Sequence, residues 1–124
     1  MSERKKILIV DDSGTARMMS EMILKSKPFK ILTANDGLEA VDKAVSERPD
    51  LILMDVCMPN MNGLEALGEI RAREETSAIP IIMVTTKGEA ESIELGYETG
   101  CNDYVLKPVS SQELISKIAD LIGE

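Results

Sequence analysis

Histidine and tryptophan are absent from this chain, and aromatic residues make up only 2% of it. Without histidine, the Ser-His-Asp and Cys-His nucleophile systems, histidine metal sites and any phosphohistidine carried by the chain itself are excluded. Phosphohistidine chemistry would have to come from a partner. Cysteine is nearly missing too. Cys57 and Cys101 show no metal-ligand spacing and read as plain packing residues of a reducing compartment. No apolar run approaches the roughly 20 residues that a membrane helix needs. The basic start, Arg4-Lys5-Lys6, leads only into Ile7 to Val10 and then two aspartates, so no signal peptide is expected. A cytoplasmic protein without membrane contact is the expectation.

What is present fits one globular domain spanning residues 1–124, with 44% hydrophobic and 29% charged residues. The 22 acidic side chains outnumber the 14 basic ones, for a net charge of -8. Such a surface disfavours phosphate backbones, so no direct nucleic-acid contact is expected.

Apolar runs alternate with helical patterns along the whole chain. Ile7 to Val10 reads as a buried strand, and after Asp11-Asp12-Ser13-Gly14 a helix places Ala16, Met19 and Ile23 on one face. A weaker strand, Lys30 to Ala34, turns through Asn35-Asp36-Gly37 into a helix with Leu38, Val41 and Val45 at helical spacing. The fully apolar Leu51 to Met54 is a third strand, followed by a loop containing Pro59 and Gly63 and a helix with Leu64, Leu67 and Ile70. Arg71 to Ser77 reads as loop. Ile81 to Val84 is the fourth strand, and a helix with Ala90, Ile93 and Tyr97 ends near Gly100. Tyr104 to Leu106 is the fifth, before Lys107-Pro108 and a last helix, capped by Ser110 or Ser111, with Leu114, Ile118 and Leu121. Five strand-helix repeats imply parallel strands, right-handed crossovers and helices on both faces: a doubly wound α/β fold.

On that scaffold Asp11 and Asp12 follow strand one, Asp55 ends strand three, Thr85 and Thr86 end strand four, and Lys107 follows strand five. All converge on the carboxyl edge of the sheet, where open α/β folds bind ligands. Clustered carboxylates repel one another unless a positive charge joins them. With only hard oxygen ligands on offer, Mg²⁺ is the ion that fits. A phosphoryl group complements the rest: Lys107 can neutralise its oxygens, Thr85 can donate a hydrogen bond, and Asp55 can be the in-line nucleophile. Each residue alone has a bland reading, as a solvated turn, a strand end or a loop lysine. Their joint order does not.

Ile-Leu-Ile-Val-Asp11-Asp12-Ser, Leu-Met-Asp55-Val-Cys-Met-Pro-Asn-Met-Asn-Gly, Met-Val-Thr85-Thr86 and Asn-Asp-Tyr104-Val-Leu-Lys107-Pro108 resemble the response-regulator receiver family, the CheY-like phosphoacceptor domains of two-component signalling. The resemblance covers essentially the whole chain. It implies a single (βα)5 domain with a five-stranded parallel sheet of order 2-1-3-4-5. It implies that Asp55 accepts a phosphoryl group from a sensor histidine kinase or histidine phosphotransfer protein. Mg²⁺ would be held by Asp11, Asp12, Asp55 and the backbone carbonyl of Cys57. Lys107 would contact the phosphoryl group, and Thr85 would move to it and draw Tyr104 inward.

The resemblance further implies that Cys57, Thr86 and Lys87 would border the phosphoryl site, where they are expected to tune its formation or hydrolysis. The helix 4, strand 5 and helix 5 face, with Glu89, Glu91, Glu94, Glu98, Tyr104, Gln112 and Lys117, would dock a downstream target or, on phosphorylation, a second receiver. The alternatives are a receiver belonging to a larger regulator, a receiver signalling without phosphorylation and an aspartyl-phosphate phosphatase. The phosphatase lacks a carboxylate two residues after Asp55. A flavin carrier of similar fold is disfavoured by the acidic first loop, where a phosphate cradle needs N–H donors.

Overall fold

The computed structural model describes residues 4–86 and 90–123, and for residues 90 and 91 the backbone only. Five strands alternate with five helices: β1 Lys6–Val10, α1 Gly14–Leu24, β2 Lys30–Ala34, α2 Gly37–Glu47, β3 Leu51–Asp55, α3 Gly63–Ala72, β4 Ile81–Thr85, α4 Ala90–Thr99, β5 Asp103–Leu106 and α5 Ser111–Ile122. The strands form one parallel sheet in the order β2-β1-β3-β4-β5.

The sheet has helices on both faces, as the continuous apolar strands require. On one side Leu8, Val10, Ile52, Met54, Ile81 and Met83 pack under Ala40, Val41 and Ala44 of α2 and Ala66, Leu67 and Ile70 of α3. On the other, Ile7, Ile9, Leu53, Ile82 and Val84 pack under Leu24 of α1 and Leu114 and Ile118 of α5. Alternate residues of one strand feed opposite cores because successive side chains point to opposite faces. β2 lies at the edge and is only half-buried, which explains its weaker apolar pattern.

Helix ends follow local chemistry. Ser13, Asp36, Asn62 and Ser110 cap α1, α2, α3 and α5, and Asn62 with Glu65 forms a reciprocal capping box. Several sequence expectations are corrected. Met19 is 59% exposed, and Leu24 is the fully buried residue of α1. Leu38 is 51% exposed because the inward face of α2 is the small stripe Ala40, Val41 and Ala44. Arg71 and Ala72 belong to α3 rather than to a loop. Cys101 is buried in the core as expected, whereas Cys57 is exposed, and neither is in a disulfide.

Candidate functional site

Register brings the polar residues together. Val10 pairs with Met54, Asp55 with Val84, and Thr85 with Leu106. Asp11, Asp55, Thr85 and Lys107 therefore stand side by side at the carboxyl edge, at the point where the order leaves β1 in opposite directions. Asp11 is 6% exposed and Asp55 7% exposed, while Asp12 is open to solvent. One carboxylate oxygen from each of the three lies within 4.8 Å of the others.

Lys107 answers that negative charge directly. Its ammonium Nζ lies 3.1 Å from Asp11 Oδ2 and 3.1 Å from Asp55 Oδ1. Burial, then the charge of Asp11, pushes the Asp55 carboxyl above its ordinary range, and Lys107 only partly offsets this. Burial by itself would lower Lys107, but its hydrogen bonds to Asp11 and Asp55 leave it raised and charged.

Backbone contacts hold the frame. Ser13 N–H donates to Asp11 Oδ1 at 2.9 Å, and the Arg17 guanidinium donates to the Asp11 carbonyl at 2.6 Å. Lys107 N–H donates to the Thr85 carbonyl at 2.7 Å, tying the lysine to the strand end beside it. The loop after Asp55 is fastened at both ends. Gly63 N–H donates to the Val56 carbonyl at 2.8 Å, and Gly37 N–H to the Met61 carbonyl at 2.9 Å. Asn60, held at φ 67, donates from Nδ2 to Asp36 Oδ2 at 2.8 Å. The backbone N–H of Glu39 and then Asn60 hold the Asp36 carboxyl below its usual range. Asp36, Asn60 and Arg17 were not legible as site supports. In the sequence the Asn35-Asp36-Gly37 turn and the turn-prone Pro59-Asn60 pair were the available signals.

The oxygen-only donor set suits a hard divalent cation, and the residual negative charge beside Asp55 gives it an electrostatic reason to bind. Thr85 is buried at the end of β4, with Thr86 exposed next to it. Thr85 and Tyr104 line one crevice together with Val56, Met83, Ile93 and Cys101, so they meet the condition of neighbourhood that coupling requires. Tyr104 is half-buried and packs against the core under α2 and α3. Lys87 and Glu89 lie outside the described residues. Tyr97, which the sequence places on this helix with Ala90 and Ile93, is 45% exposed and meets Tyr104 edge-on.

Fold and site together define an open parallel α/β domain with an acidic, lysine-bridged site at its topological switch point. The chain belongs to the family described as the response regulator receiver domain, which it matches over residues 7–119. It is 35% identical over 115 residues to the DNA-binding response regulator MtrA of Mycobacterium tuberculosis, covering 93% of this chain and 49% of that protein. The chain thus spans about half the length of the curated relatives it matches. Among solved structures, chemotaxis protein CheY4 of Vibrio cholerae superposes with a TM-score of 0.88 at 33% identity, covering 96% of this chain and 99% of that one. The receiver domain of the sensor histidine kinase PA1611 from Pseudomonas aeruginosa, with magnesium coordinated in its active-site cleft, gives a TM-score of 0.90 at 34% identity. Its match covers 98% of this chain and 100% of that one. This is a receiver of two-component signalling. Kinship with a regulator named for DNA binding leaves the expectation of no nucleic-acid contact unsupported for any longer protein containing it. Among the described residues no helix is long and apolar enough to cross a membrane.

Proposed function

We propose that this receiver takes a phosphoryl group onto Asp55 from a partner histidine kinase or histidine phosphotransfer protein in the cytoplasm, and that residues 1–124 suffice for this reaction. The observation that carries the reading is the Lys107 ammonium, 3.1 Å from each of two buried carboxylates in a cluster of three. A carboxylate oxygen of Asp55 attacks phosphorus, the bond to the partner's imidazole nitrogen breaks, and the electron pair returns to that ring, which then takes up a proton. Asp11, Asp12, Asp55 and the Cys57 carbonyl would hold Mg²⁺, which supplies charge neutralisation for the phosphoryl oxygens. Lys107 leaves its ion pair with Asp55 to contact the new group. The Thr85 hydroxyl turns to donate to it, and Tyr104 settles further into the crevice that it shares with Thr85.

Met18, Met19 and Met22 are exposed on α1, the helix that follows Asp11 and Asp12, and offer an adaptable apolar strip suited to the phosphodonor partner. The α4, β5 and α5 face carries the change outward, to a downstream protein or a second phosphorylated copy. Incubation with Mg²⁺ and a small phosphodonor is expected to add one alkali-labile phosphoryl group to the chain, read by mass spectrometry. No labelling, with or without Mg²⁺, would reject the reading.

Thr86, exposed beside buried Thr85, adds a methyl group where a phosphodonor must approach. Thr86→Ala is expected to speed phosphorylation by the small donor severalfold, and equal initial rates would reject a crowding role. A second reading, a receiver attached to an output domain, is favoured by the half-length match to the curated relatives. Sequencing the gene on both sides of this segment decides it, and the chemistry of Asp55 is the same in either case.

A further inference from the structure

The chain has only two tyrosines, and the structure places them in contact on the face that the signal would use. Tyr97 of α4 presents its ring edge-on to Tyr104 of β5, with centroids 5.9 Å apart and planes at 84°. This is a favoured geometry for aromatic pairs, because a positive ring edge meets a negative ring face. The Tyr97 hydroxyl reaches Asp103 Oδ1 at 3.3 Å, which anchors the far end of the ring.

Asp103 is the hub of this arrangement. The same carboxylate oxygen accepts from Lys117 Nζ at 3.0 Å and from the backbone N–H of Tyr104 at 2.8 Å. Lys117 also donates to the Tyr104 carbonyl at 2.6 Å and sits 5.1 Å from the centre of its ring. Burial would raise the Asp103 carboxyl, yet the hydrogen bond from Lys117 and that from Tyr104 N–H bring it below its ordinary value, so it stays charged. Tyr97, pushed up to about 12 by burial and by the charge of Asp103, keeps its proton and remains a donor. The backbone of Tyr104 is thus fixed from α5, and its ring is flanked by Tyr97 and Lys117.

We infer that Tyr97 is a positioning residue that holds the half-buried Tyr104 ring against the core before phosphorylation, and thereby sets how readily Asp55 takes up a phosphoryl group. The inference rests on the Thr85 and Tyr104 switch proposed above. If the phosphoryl group favours inward Tyr104 through Thr85, any contact that favours inward Tyr104 raises the affinity for that group in proportion to the inward population it adds. Tyr97 makes such a contact and touches neither Asp55 nor Lys107 among the contacts of the described residues. Its 45% exposure also means that a partner covering Tyr97 would act on the same equilibrium.

The absence of tryptophan makes the test direct, since Tyr104 is the only tyrosine of any variant that lacks Tyr97 and can be excited beyond the absorption band of phenylalanine. Tyr97→Phe keeps the edge contact, and Tyr97→Leu removes it. Both are titrated with beryllofluoride and Mg²⁺, with binding followed by calorimetry and Tyr104 by its emission. The expected result is an affinity on the order of threefold weaker for the Leu variant than for the Phe variant, with a larger emission change. In a Thr85→Ala background the difference between the two should vanish, which a merely structural role for Tyr97 would not produce. Equal affinities and equal emission changes overturn the inference and leave the switch standing. Calorimetric binding with no change of Tyr104 emission in either variant overturns the switch, and the inference with it.

Discussion

Asp55→Asn is expected to abolish phosphoryl labelling by a small phosphodonor while raising the thermal stability of the metal-free protein at neutral pH. Loss of labelling follows because the amide is no nucleophile, and Asp11 is already engaged by Ser13 N–H and Lys107. The gain in stability follows from electrostatics. Burial and the neighbouring Asp11 raise the Asp55 carboxyl above its reference value of 3.8 in the folded state. The folded protein therefore binds that proton more tightly than the unfolded chain does. Its contribution to stability is fully present below the unfolded value and is lost as pH rises through the folded one. At pH 7 the ionised group opposes folding. Asparagine has no such penalty, so the melting temperature of the variant should exceed that of wild type at pH 7, and the gap should close toward pH 4. Saturating Mg²⁺ should narrow the gap from the other side by stabilising wild type. A variant that still takes the label would place the nucleophile elsewhere. One that melts below wild type at pH 7 would overturn the account of stored repulsion.

Gly63→Ala is expected to damage both the fold and the site through a single contact. A Cβ at this position would stand 2.1 Å from the carbonyl oxygen of Asp55 and 3.0 Å from Met83 Cε. The first obstacle is backbone, at the end of a strand buried in the middle of the sheet, so no side-chain rotation relieves it. Either α3 must lift from β3, breaking the Gly63 N–H bond to the Val56 carbonyl, or Asp55 must move. Overpacking of this kind costs about 3 kcal/mol, which corresponds to a fall of roughly 10 °C in melting temperature. Where the strand gives way instead, a displaced Asp55 should lower the phosphorylation rate on the order of a hundredfold, since misplacement by about 1 Å suffices for such a loss. Differential scanning calorimetry and initial labelling rates read the two effects separately. A variant unchanged in both would show that α3 is free to shift at no cost.

Much of this was legible before any coordinates, for reasons that differ from place to place. Strands buried on both faces leave continuous apolar runs, and helix caps leave Ser13, Asp36, Asn62 and Ser110 at helix starts, so the alternation of elements could be read directly. A lone carboxylate closing Leu51 to Met54 has few structural explanations, which is why Asp55 stood out. Helix faces were harder. Met19, Leu38 and Tyr97 fall at helical spacing with other apolar residues, yet all three are exposed, because small residues and neighbouring positions pack inward instead. Periodicity fixes a spacing and leaves the rotation of the helix to its packing.

The sequence by itself determined the alternating strands and helices and the family, and it singled out Asp11, Asp12, Asp55, Thr85 and Lys107 as candidates, because local periodicity and strand-end chemistry are written along the chain. Tertiary structure decided what those residues do to one another. The Lys107 ammonium is shared between two carboxylates, Asp36 and Asn60 fasten the loop beyond Asp55, and Tyr97 and Lys117 flank Tyr104. Each of these contacts joins separate segments of chain, and only the register of a parallel sheet and the packing of its helices bring such segments within a few ångströms.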